Sequence, residues 1–337
     1  MTTQLPTVSV LMPAYNYGRY VGQAIQSALN QDYPEELLRL VVVDDGSSDD
    51  TAAVVRGLAG ANPDRIDFIQ QENSGPSAAI NTALAAATGE LVAVLDADDV
   101  WLPQKTRRQV EALVADPALG MVFCDMRVVD EHEQLVRPSQ VGAIGAFPRS
   151  AFARLLCQNV ATQSSILVRR DLVWPIPAEI PYSDWWFALR AAEHAEVLYI
   201  PEPLALYREH GANLTSGVSG AAGVREHRKE IRFQLWALRN LDLDSLGRQD
   251  VGLVWAGLEE HARRAMVAAE SFFVELADIS EDDRLRAAEL ALVAEAARTA
   301  GDLQQEAVQL LRSLGHDPFA TDVLERLREA VLTAREH

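Results

Sequence analysis

The sequence predicts an α/β protein built on a doubly wound sheet, with an all-helical region at its C-terminal end. In the first hundred residues, apolar runs of four or five residues alternate with segments whose apolar residues recur at helical spacing. The runs are apolar almost throughout, which is typical of strands covered on both faces. Repeats of strand, helix and strand about 30 residues long indicate right-handed βαβ units.

The elements of this first part can be assigned in order. Strands are predicted at Val8–Met12, Leu40–Val43, Ile66–Ile69 and Leu91–Leu95. Helices are predicted at Tyr20–Asn30 and at Ser77–Ala87, where Gly89 follows as a stop signal. Ligands of such sheets bind beyond the carboxyl ends of the strands, so we expect the chemistry after Met12, Val43 and Leu95.

A mixed region follows, at about residues 100–222. Gln104–Ala115 is predicted to be a helix that ends before Asp116-Pro117. Further strands are predicted at Met121–Met126, Ser165–Val168, Glu196–Ile200 and Leu204–Tyr207. Val136–Pro148 contains two prolines and two glycines, which predict a loop.

The character of the chain changes after about Gly223. This part is rich in Ala, Leu, Glu and Arg, and no proline occurs between Pro203 and Pro318. Apolar residues at helical spacing are Leu285, Ala288, Leu292 and Ala296, and again Val323, Leu324, Leu327 and Val331. We therefore expect two domains, residues 1–222 and 223–337, the second with four or five helices. These helices could form a homo-oligomer, shape an acceptor site, dock a partner or simply pack on the first domain.

Composition excludes several classes of protein. The chain has 337 residues, of which 48% are hydrophobic and 23% charged, as in globular proteins. Its net charge of −19 argues against broad binding to nucleic acid or anionic lipid. Cys124 and Cys157 form no C-x-x-C pair, so neither a disulfide framework nor a thiolate zinc site is expected. Met1–Thr7 does not resemble a signal peptide, and no apolar stretch approaches the roughly 20 residues of a transmembrane helix. We expect a soluble, cytoplasmic protein.

Polar residues follow three of the predicted strands, where the fold alone does not require them. These segments are Pro13-Ala14-Tyr15-Asn16, Asp44-Asp45-Gly46-Ser47-Ser48-Asp49-Asp50-Thr51 and Asp96-Ala97-Asp98-Asp99. One residue among Ser48, Asp49 and Asp50 is expected to cap the next helix. Capping does not explain Asp44 and Asp45, which directly follow a buried strand.

The third segment places the carboxylates of Asp96, Asp98 and Asp99 within four residues at the end of a buried strand. Packed carboxylates repel one another and resist desolvation unless a cation or hydrogen-bond donors offset the charge. Asp-x-Asp is a common way to hold Mg²⁺ or Mn²⁺, which take oxygen ligands and keep positions free for phosphates. A solvated turn is the alternative, but polar clusters at three strand ends favour a site.

In this order, and with two further segments, these motifs resemble those of family 2 glycosyltransferases over about the first 210 residues. The further segments are Asn73-Ser74-Gly75-Pro76-Ser77 and Gly89-Glu90. The resemblance implies a GT-A fold, which is a Rossmann-like mixed sheet flanked by helices. It also implies a nucleotide-sugar donor, Mn²⁺ or Mg²⁺ as cofactor, and inversion at the anomeric carbon.

The resemblance also implies which residues hold the donor. The set is Pro13, Ala14, Tyr15, Asn16, Asp44, Asp45, Asn73, Gly75, Ser77, Asp96, Ala97, Asp98, Asp99 and Arg208. The residues after the first strand would line the base and ribose, and Asp45 or Asp44 would bond the uracil edge. Asp96 would lie near the ribose and Asp98 would bind the metal. Asp99 would lie near the donor sugar or the metal.

This set favours a UDP-sugar as donor, with a dTDP-sugar as rival, because Asp44 and Asp45 suit a pyrimidine edge. Many relatives have Arg-Asn where this chain has Ile80-Asn81, which puts a basic contact to the donor in doubt.

Tyr182-Ser183-Asp184-Trp185-Trp186-Phe187 resembles the Glu-Asp-Trp segment in which the family carries its catalytic base. Serine replaces the glutamate, so only Asp184 is carried over. An inverting transfer needs one carboxylate to take the proton of the acceptor hydroxyl. Asp184 could also cap a helix over Asp184–Ala192. Trp185 or Trp186 is expected to contact a carbohydrate or glycoconjugate acceptor through its aromatic face.

Leu206-Tyr207-Arg208-Glu209-His210 resembles a Tyr-Arg-x-His segment that closes the donor site in many relatives. The resemblance implies that His210 completes the metal shell with Asp98. It also implies that Arg208 offsets the charge that grows on the diphosphate as the bond breaks.

Two other classes of protein compete with a glycosyltransferase. Sugar-1-phosphate nucleotidyltransferases have a similar sheet but begin with a glycine-rich loop, which Pro13-Ala14-Tyr15-Asn16 does not provide. A scaffold or glycan-binding protein could keep the fold and lose activity. The loss of activity is opposed by the presence of Asp98, Asp184 and His210 at the family's functional positions. It is left open by Ser183 and Ile80, which depart from the family pattern. The leading hypothesis is a metal-dependent inverting glycosyltransferase in glycan, cell-surface polysaccharide or glycoconjugate synthesis.

Overall fold

The computed structural model describes residues 5–142, 147–211, 221–247, 249–254, 256–257, 308–310, 312–313, 316 and 326. The chain divides into two compact units. The first comprises Met1–Ala151 and Asn159–Ser216, and the second comprises Phe152–Gln158 and Gly217–His337. A short segment near residue 155 therefore belongs to the same unit as the C-terminal part of the chain.

In the described part of the first unit, nine strands form one sheet. They are β1 (Val8–Ala14), β2 (Leu38–Asp44), β3 (Ile66–Gln70), β4 (Leu91–Val94), β5 (Val100–Trp101), β6 (Leu119–Val129), β7 (Leu135–Arg137), β8 (Ile166–Arg169) and β9 (Glu196–Arg208). Their spatial order is β3-β2-β1-β4-β8-β6-β9-β5, with β7 beside β6.

One half of the sheet is parallel and the other is mixed. β1 runs parallel to β2 and β4, and β2 runs parallel to β3. β8 is antiparallel to both β4 and β6, whereas β9 is parallel to β6. Because Ala14 lies opposite Asp44 and Leu11 opposite Val94, the carboxyl ends of β1, β2 and β4 share one edge. All three polar segments predicted from the sequence begin at this edge.

The described helices belong to both units, and those of the first unit cover the sheet as the apolar pattern predicts. In the first unit they are α1 (Val21–Leu29), α2 (Thr51–Ala61), α3 (Pro76–Ala86) and α4 (Lys105–Ala115), and in the second unit α5 (Phe152–Cys157) is described. Later in the chain come α6 (Ser183–His194) in the first unit and α7 (Ala221–Asn240) in the second. Val10, Leu11 and Met12 are all completely buried, so both faces of β1 are covered.

Two predicted boundaries are wrong. The segments expected as separate strands at Glu196–Ile200 and Leu204–Tyr207 are parts of the single strand β9. Its pairing with β6 shifts register where Cys124 faces Ile200 and Asp125 faces Pro203, and this bulge accommodates the prolines, which have no N–H to donate. Part of the predicted loop at Val136–Pro148 also pairs with β6 as β7.

In the second unit, Gln234 of α7 donates to the last carbonyl oxygens of α5. Its Nε2 lies 3.0 Å from the oxygen of Leu156 and 2.8 Å from that of Cys157. Eight residues predicted to be helical lie outside the described residues, namely Leu285, Ala288, Leu292, Ala296, Val323, Leu324, Leu327 and Val331. Within the described part of the chain, no helix is both long and apolar enough to span a membrane.

Candidate active site

The loop after β4 carries the three clustered carboxylates. Asp98 and Asp99 are only 6% and 2% exposed, and Asp96 is half-buried. The backbone N–H of Asp96 donates to Oγ of Ser164 at 3.0 Å, which ties the loop to the turn before β8. The structure therefore brings together the residues that the sequence places after the fourth predicted strand.

The protein environment raises the pKa values of these three carboxyl groups and so favours their protonated forms. Burial raises the pKa of Asp96 to about 8, and the charges of Asp98 and Asp184 act in the same direction. Burial also raises the pKa of Asp98, against the opposing effect of His210. The pKa of Asp99 lies well above its ordinary value because of burial and of the charges of Asp98 and Asp96. A bound cation would offset the charge that causes these shifts.

Asp98 and His210, the two predicted metal ligands, are in contact, and their binding of a metal stays a prediction. Oδ2 of Asp98 lies 3.1 Å from Nε2 of His210. The imidazole stacks on the ring of Tyr20 at 4.9 Å and meets the edge of Tyr17 at 6.0 Å, which orients it. One carboxylate and one imidazole fit a divalent ion that takes its remaining ligands from phosphates and water. Among the described residues, no group of three or more His, Cys, Asp or Glu side chains could hold a metal.

Arg208 supports the acidic loop from inside the protein. It is 2% exposed, and its Nε donates to the carbonyl oxygen of Asp98 at 2.9 Å. Its backbone N–H donates to Oδ1 of Asp99 at 3.0 Å, and its guanidinium also bonds Gln23 at 2.9 Å. These bonds give Arg208 a positioning role in the structure. Its contact with a diphosphate stays a prediction.

Glu133, which sequence reasoning missed, is a further partner of Arg208. Its Oε1 lies 3.3 Å from Nη2 of Arg208 and 2.5 Å from Nε2 of Gln23. Glu133 has a φ of 63°, the left-handed conformation that favours glycine or asparagine, in the turn between β6 and β7. The glutamate at this position has a tertiary role that no local sequence pattern reveals.

The loops after β1 and β2 interlock at the proposed nucleotide site. The N–H of Asn16 donates to Oγ of Ser47 at 2.9 Å, and Oδ1 of Asn16 accepts the N–H of Ser48 at 2.8 Å. Tyr15 beside them is 46% exposed and available to a ligand, whereas Pro13 is half-buried and Ala14 is buried. Contact of these residues with a base or ribose stays a prediction.

Asp44 and Asp45 are buried and bonded within the protein. Oδ2 of Asp44 accepts from Gln70 at 2.9 Å. Asp45 binds the next loop, because its Oδ1 accepts from Gln71 and from the N–H of Ser74, and its Oδ2 accepts from the N–H of Gly75. The two residues thus hold together the segments that would surround a nucleotide.

Three neighbouring positions belong to the same arrangement. Gly46 has a φ of 76°, and a Cβ there would lie 2.9 Å from the nitrogen of Asn73, so only glycine lets these loops approach so closely. Asp50 precedes α2 but makes no side-chain capping bond, and it is Oδ1 of Asp49 that accepts the N–H of Thr51, the first helical residue, at 2.9 Å. Farther along, Oγ of Ser77 donates to the carbonyl of Ile180 at 3.3 Å.

Asp184 occupies the second position of α6 and is half-buried. The helix begins one residue earlier than predicted, with Tyr182 before it, so Asp184 is not the capping residue. Its Oδ1 accepts the N–H of Trp185 at 2.7 Å. Burial raises the pKa of Asp184 to about 6, against hydrogen bonds from Trp185 and Asn159. At neutral pH the group is therefore ionised and able to take a proton.

Trp185 and Trp186 are packed in the interior. They are 2% and 5% exposed, and Nε1 of Trp186 donates to the carbonyl of Trp174 at 3.1 Å. Such burial leaves almost no ring surface for a sugar, so the expected acceptor contact is replaced by a packing role. Sequence reasoning could not separate these roles, since both place aromatic residues beside Asp184.

Gln163 is a second residue that sequence reasoning missed. Its Nε2 donates to Oδ1 of Asp96 at 2.6 Å, and its Oε1 accepts from the hydroxyl of Ser183. No motif marks this glutamine, because its partners lie far from it in the sequence.

Comparison with known proteins places this geometry in a family. The family model described as glycosyl transferase family 2 matches residues 9–176. An uncharacterized glycosyltransferase of Nostoc sp. is 32% identical over 238 residues, which is 68% of this chain and 72% of that protein. A chondroitin synthase of Escherichia coli is 34% identical over 133 residues, 40% of this chain and 19% of the synthase.

Solved structures show the same fold. Residues 1–349 of S. aureus TarS in complex with UDP-GlcNAc align with a TM-score of 0.58 at 19% identity, over 98% of this chain and 92% of that one. The mannosyltransferase PcManGT from Pyrobaculum calidifontis, in complex with GDP-Man and Mn²⁺, aligns with a TM-score of 0.54 at 22% identity, over 93% and 88% of the two chains. The expected GT-A architecture is therefore confirmed. The chain belongs to glycosyl transferase family 2 and is a glycosyltransferase.

Proposed function

We propose that this protein is a divalent-metal-dependent, inverting glycosyltransferase that moves a sugar from a UDP-sugar to an acceptor hydroxyl. We assign it to the synthesis of a glycan, a cell-surface polysaccharide or a glycoconjugate. The main support is the contact of Asp98 with His210 at the sheet edge where β1, β2 and β4 end. Ligands of parallel sheets bind at this edge.

On the donor side, the residues would act mainly by binding and orientation. The loops at Asn16 and Asp45 would enclose the nucleotide, and Asp98 with His210 would hold the metal. A divalent ion bound there would offset the negative charge of the leaving diphosphate. Arg208 would keep the main chain of Asp98 in place through its 2.9 Å bond to the carbonyl oxygen.

On the acceptor side, Asp184 would act as the general base. Its carboxylate would take the proton of the acceptor hydroxyl while the hydroxyl oxygen attacks the anomeric carbon and the bond to the diphosphate breaks. A pKa raised to about 6 leaves Asp184 ionised at pH 7 yet more basic than an ordinary aspartate. Attack from the side opposite the leaving group would invert the configuration.

The choice of UDP rests on two observations of different kinds. The family resemblance places Asp44 or Asp45 at the edge of a pyrimidine, although donors of the protein also bond both carboxylates, and TarS, a protein of the same fold, was solved with UDP-GlcNAc. A dTDP-sugar would satisfy the first observation equally well. PcManGT was solved with GDP-Man and Mn²⁺, so a GDP-sugar also belongs in the test.

The test is a panel of UDP-, dTDP- and GDP-sugars with Mn²⁺, scored by thermal shift and by release of the nucleotide. We expect the largest shift and release with a UDP-sugar, and loss of both in EDTA. Unchanged release in EDTA would overturn the metal dependence. Metal-dependent binding of UDP without turnover over a broad set of acceptors would favour a scaffold or glycan-binding protein.

A further inference from the structure

The turn before β8 joins the two sides of the proposed active site. This turn, Gln163–Ser165, is a single turn of 3₁₀ helix. Gln163 lies between Asp96, in the acidic loop, and Ser183, the first residue of α6. Its partners are 67 residues before it and 20 residues after it in the sequence.

The amide of Gln163 is hydrogen-bonded at both of its ends. The NH₂ end of the amide faces Asp96, and its Nε2 donates to Oδ1 of that residue. That bond is 2.6 Å long. The amide oxygen then faces Ser183, whose hydroxyl is the donor. One end of the amide therefore bonds Asp96, a residue of the proposed site, and the other bonds Ser183, the neighbour of Asp184.

The turn itself is anchored. Oγ of Ser164, next to Gln163, accepts the N–H of Asp96 at 3.0 Å. The carbonyl oxygen of Ser164 accepts from the indole of Trp101 at 2.8 Å, and both residues are almost fully buried. Consequently Gln163 bonds the start of α6 from a turn that is itself bonded to the acidic loop.

The first turn of α6 lacks a capping side chain. Tyr182 precedes the helix and makes no side-chain capping bond, so no N-cap side chain satisfies the free N–H groups of the first turn. The hydroxyl of Ser183 bonds Gln163, which leaves the tie to Gln163 as a side-chain constraint on this turn. Asp184 is the next residue.

We propose that Gln163 is a positioning residue that holds Asp184 at a set distance from the donor side, acting through Ser183. This inference rests on the proposed function, because it assumes that Asp184 is the base. It also gives a role to Ser183, which occupies the position of the glutamate in the family's Glu-Asp-Trp segment. In-line attack requires the base and the leaving group to be held in one geometry, and a misplacement of about 1 Å can cost 10²-fold in rate.

The test compares Gln163→Met, Ser183→Ala and Ser183→Thr in the full chain. Methionine keeps the length of glutamine and removes both hydrogen bonds, and threonine keeps the hydroxyl of serine. Three quantities are measured: hydrogen exchange of the amides at 183–187, the Kd for UDP with Mn²⁺, and release of nucleotide from the best UDP-sugar. Gln31→Met is the control, because the amide of Gln31 is also bonded at both ends, but to Ser27, Leu102 and Thr106.

We expect Gln163→Met and Ser183→Ala to speed exchange at 183–187 and to lower kcat about 10- to 100-fold, with a change in Kd for UDP of no more than about twofold. Ser183→Thr should behave like the wild type. The double variant Gln163→Met/Ser183→Ala should be no worse than the worse single variant, because both break one connection. Gln31→Met should lower thermal stability without changing exchange at 183–187.

Unchanged exchange at 183–187 in both variants would overturn the proposal, as would an unchanged kcat. A loss of UDP binding equal to the loss of kcat would assign Gln163 to the donor side and also overturn it. If Gln163→Met does not fold, Ser183→Ala and Ser183→Thr still decide the question. Failure of the wild type to release nucleotide from any donor would instead contradict the proposed function, and the exchange measurement would still decide whether Gln163 holds the helix.

Discussion

Two pairs of buried aspartates, at the ends of neighbouring parts of the same sheet, have opposite surroundings. Asp44 and Asp45 follow β2 and are 0% and 3% exposed. Asp98 and Asp99 follow β4 and are 6% and 2% exposed. Residue type, burial and position in the fold are therefore matched, and only the partners of the carboxylates differ.

The first pair is engaged by hydrogen-bond donors of the protein. Asp45 alone accepts from Gln71, Ser74 and Gly75. In the second pair, burial raises the pKa of both Asp98 and Asp99, and for Asp99 the charges of Asp98 and Asp96 act in the same direction. The comparison teaches that burial does not identify a ligand-binding carboxylate. We infer that a carboxylate held by N–H donors, such as Asp45, stabilises the fold, whereas the cluster of Asp96, Asp98 and Asp99 suits a cation.

The largest effect is expected from Asp98→Asn. Loss of this charge should remove Mn²⁺-dependent binding of UDP and nearly abolish transfer, since a bound metal supplies several kcal/mol of charge stabilisation. The melting temperature of the protein without ligands should rise, because one crowded, desolvated carboxylate is gone. Calorimetry measures the melting temperature and the binding of UDP with Mn²⁺, and release of the nucleotide measures transfer. Asp64→Asn, at an exposed position, controls for the change in net charge. Normal activity of Asp98→Asn would contradict a ligand-binding role of this carboxylate.

Asp184→Asn should reduce turnover roughly 10²- to 10⁴-fold and leave UDP and Mn²⁺ binding nearly unchanged, because only the proton acceptor is lost. In the wild type, turnover should rise with pH through about 6, as the carboxylate loses its proton. The variant should lack this rise. Initial rates from pH 5 to 8, with binding measured in parallel, test both statements. A parallel loss of UDP binding would move Asp184 to the donor side.

Asp45→Asn tests the other half of the comparison. The amide would place an NH₂ group opposite one of the N–H donors now bonded to Asp45, and an unsatisfied buried donor costs about 1–3 kcal/mol. The free energy of unfolding in urea should therefore fall by about that amount without any ligand present. Unchanged stability together with lost UDP binding would show that Asp45 serves the nucleotide alone.

Lys105 extends the comparison to a buried cation. It is 1% exposed, its Nζ bonds Oε1 of Gln109 at 2.8 Å and lies 4.0 Å from the ring centre of Trp101, and burial lowers its pKa to about 8. A lysine pKa that falls on folding costs stability fully below pH 8, and the cost fades between pH 8 and the ordinary value of 10.5.

Lys105→Met should therefore stabilise the protein at pH 7 by about 1–2 kcal/mol, after allowing for the lost amide and ring contacts. The gain should disappear near pH 10.5. Urea unfolding at both pH values measures it, and Gln109→Met, which removes the partner and keeps the charge, should instead destabilise. A stability loss for Lys105→Met at pH 7 would show that this cation is well compensated.

The amino-acid sequence by itself determined the parallel half of the sheet, the sites where its strands end and the family. These features are local, because runs of apolar residues form strands and the polar residues after them must lie at one edge. Asp98 and Asp184 could be singled out for the same reason, since each belongs to a short motif. Where prediction failed, at β9 and at β7, the outcome depended on pairing with β6.

Only the tertiary structure decided which side chains meet. Asp98 and His210 are 112 residues apart in the sequence, and the connections of Gln163 and Glu133 join segments that no motif relates. It also decided that Trp185 and Trp186 are enclosed and that Asp45 accepts hydrogen bonds from the N–H groups of Ser74 and Gly75. Burial and hydrogen bonding depend on the neighbours that folding brings together, whereas periodicity and spacing report only on neighbours along the chain.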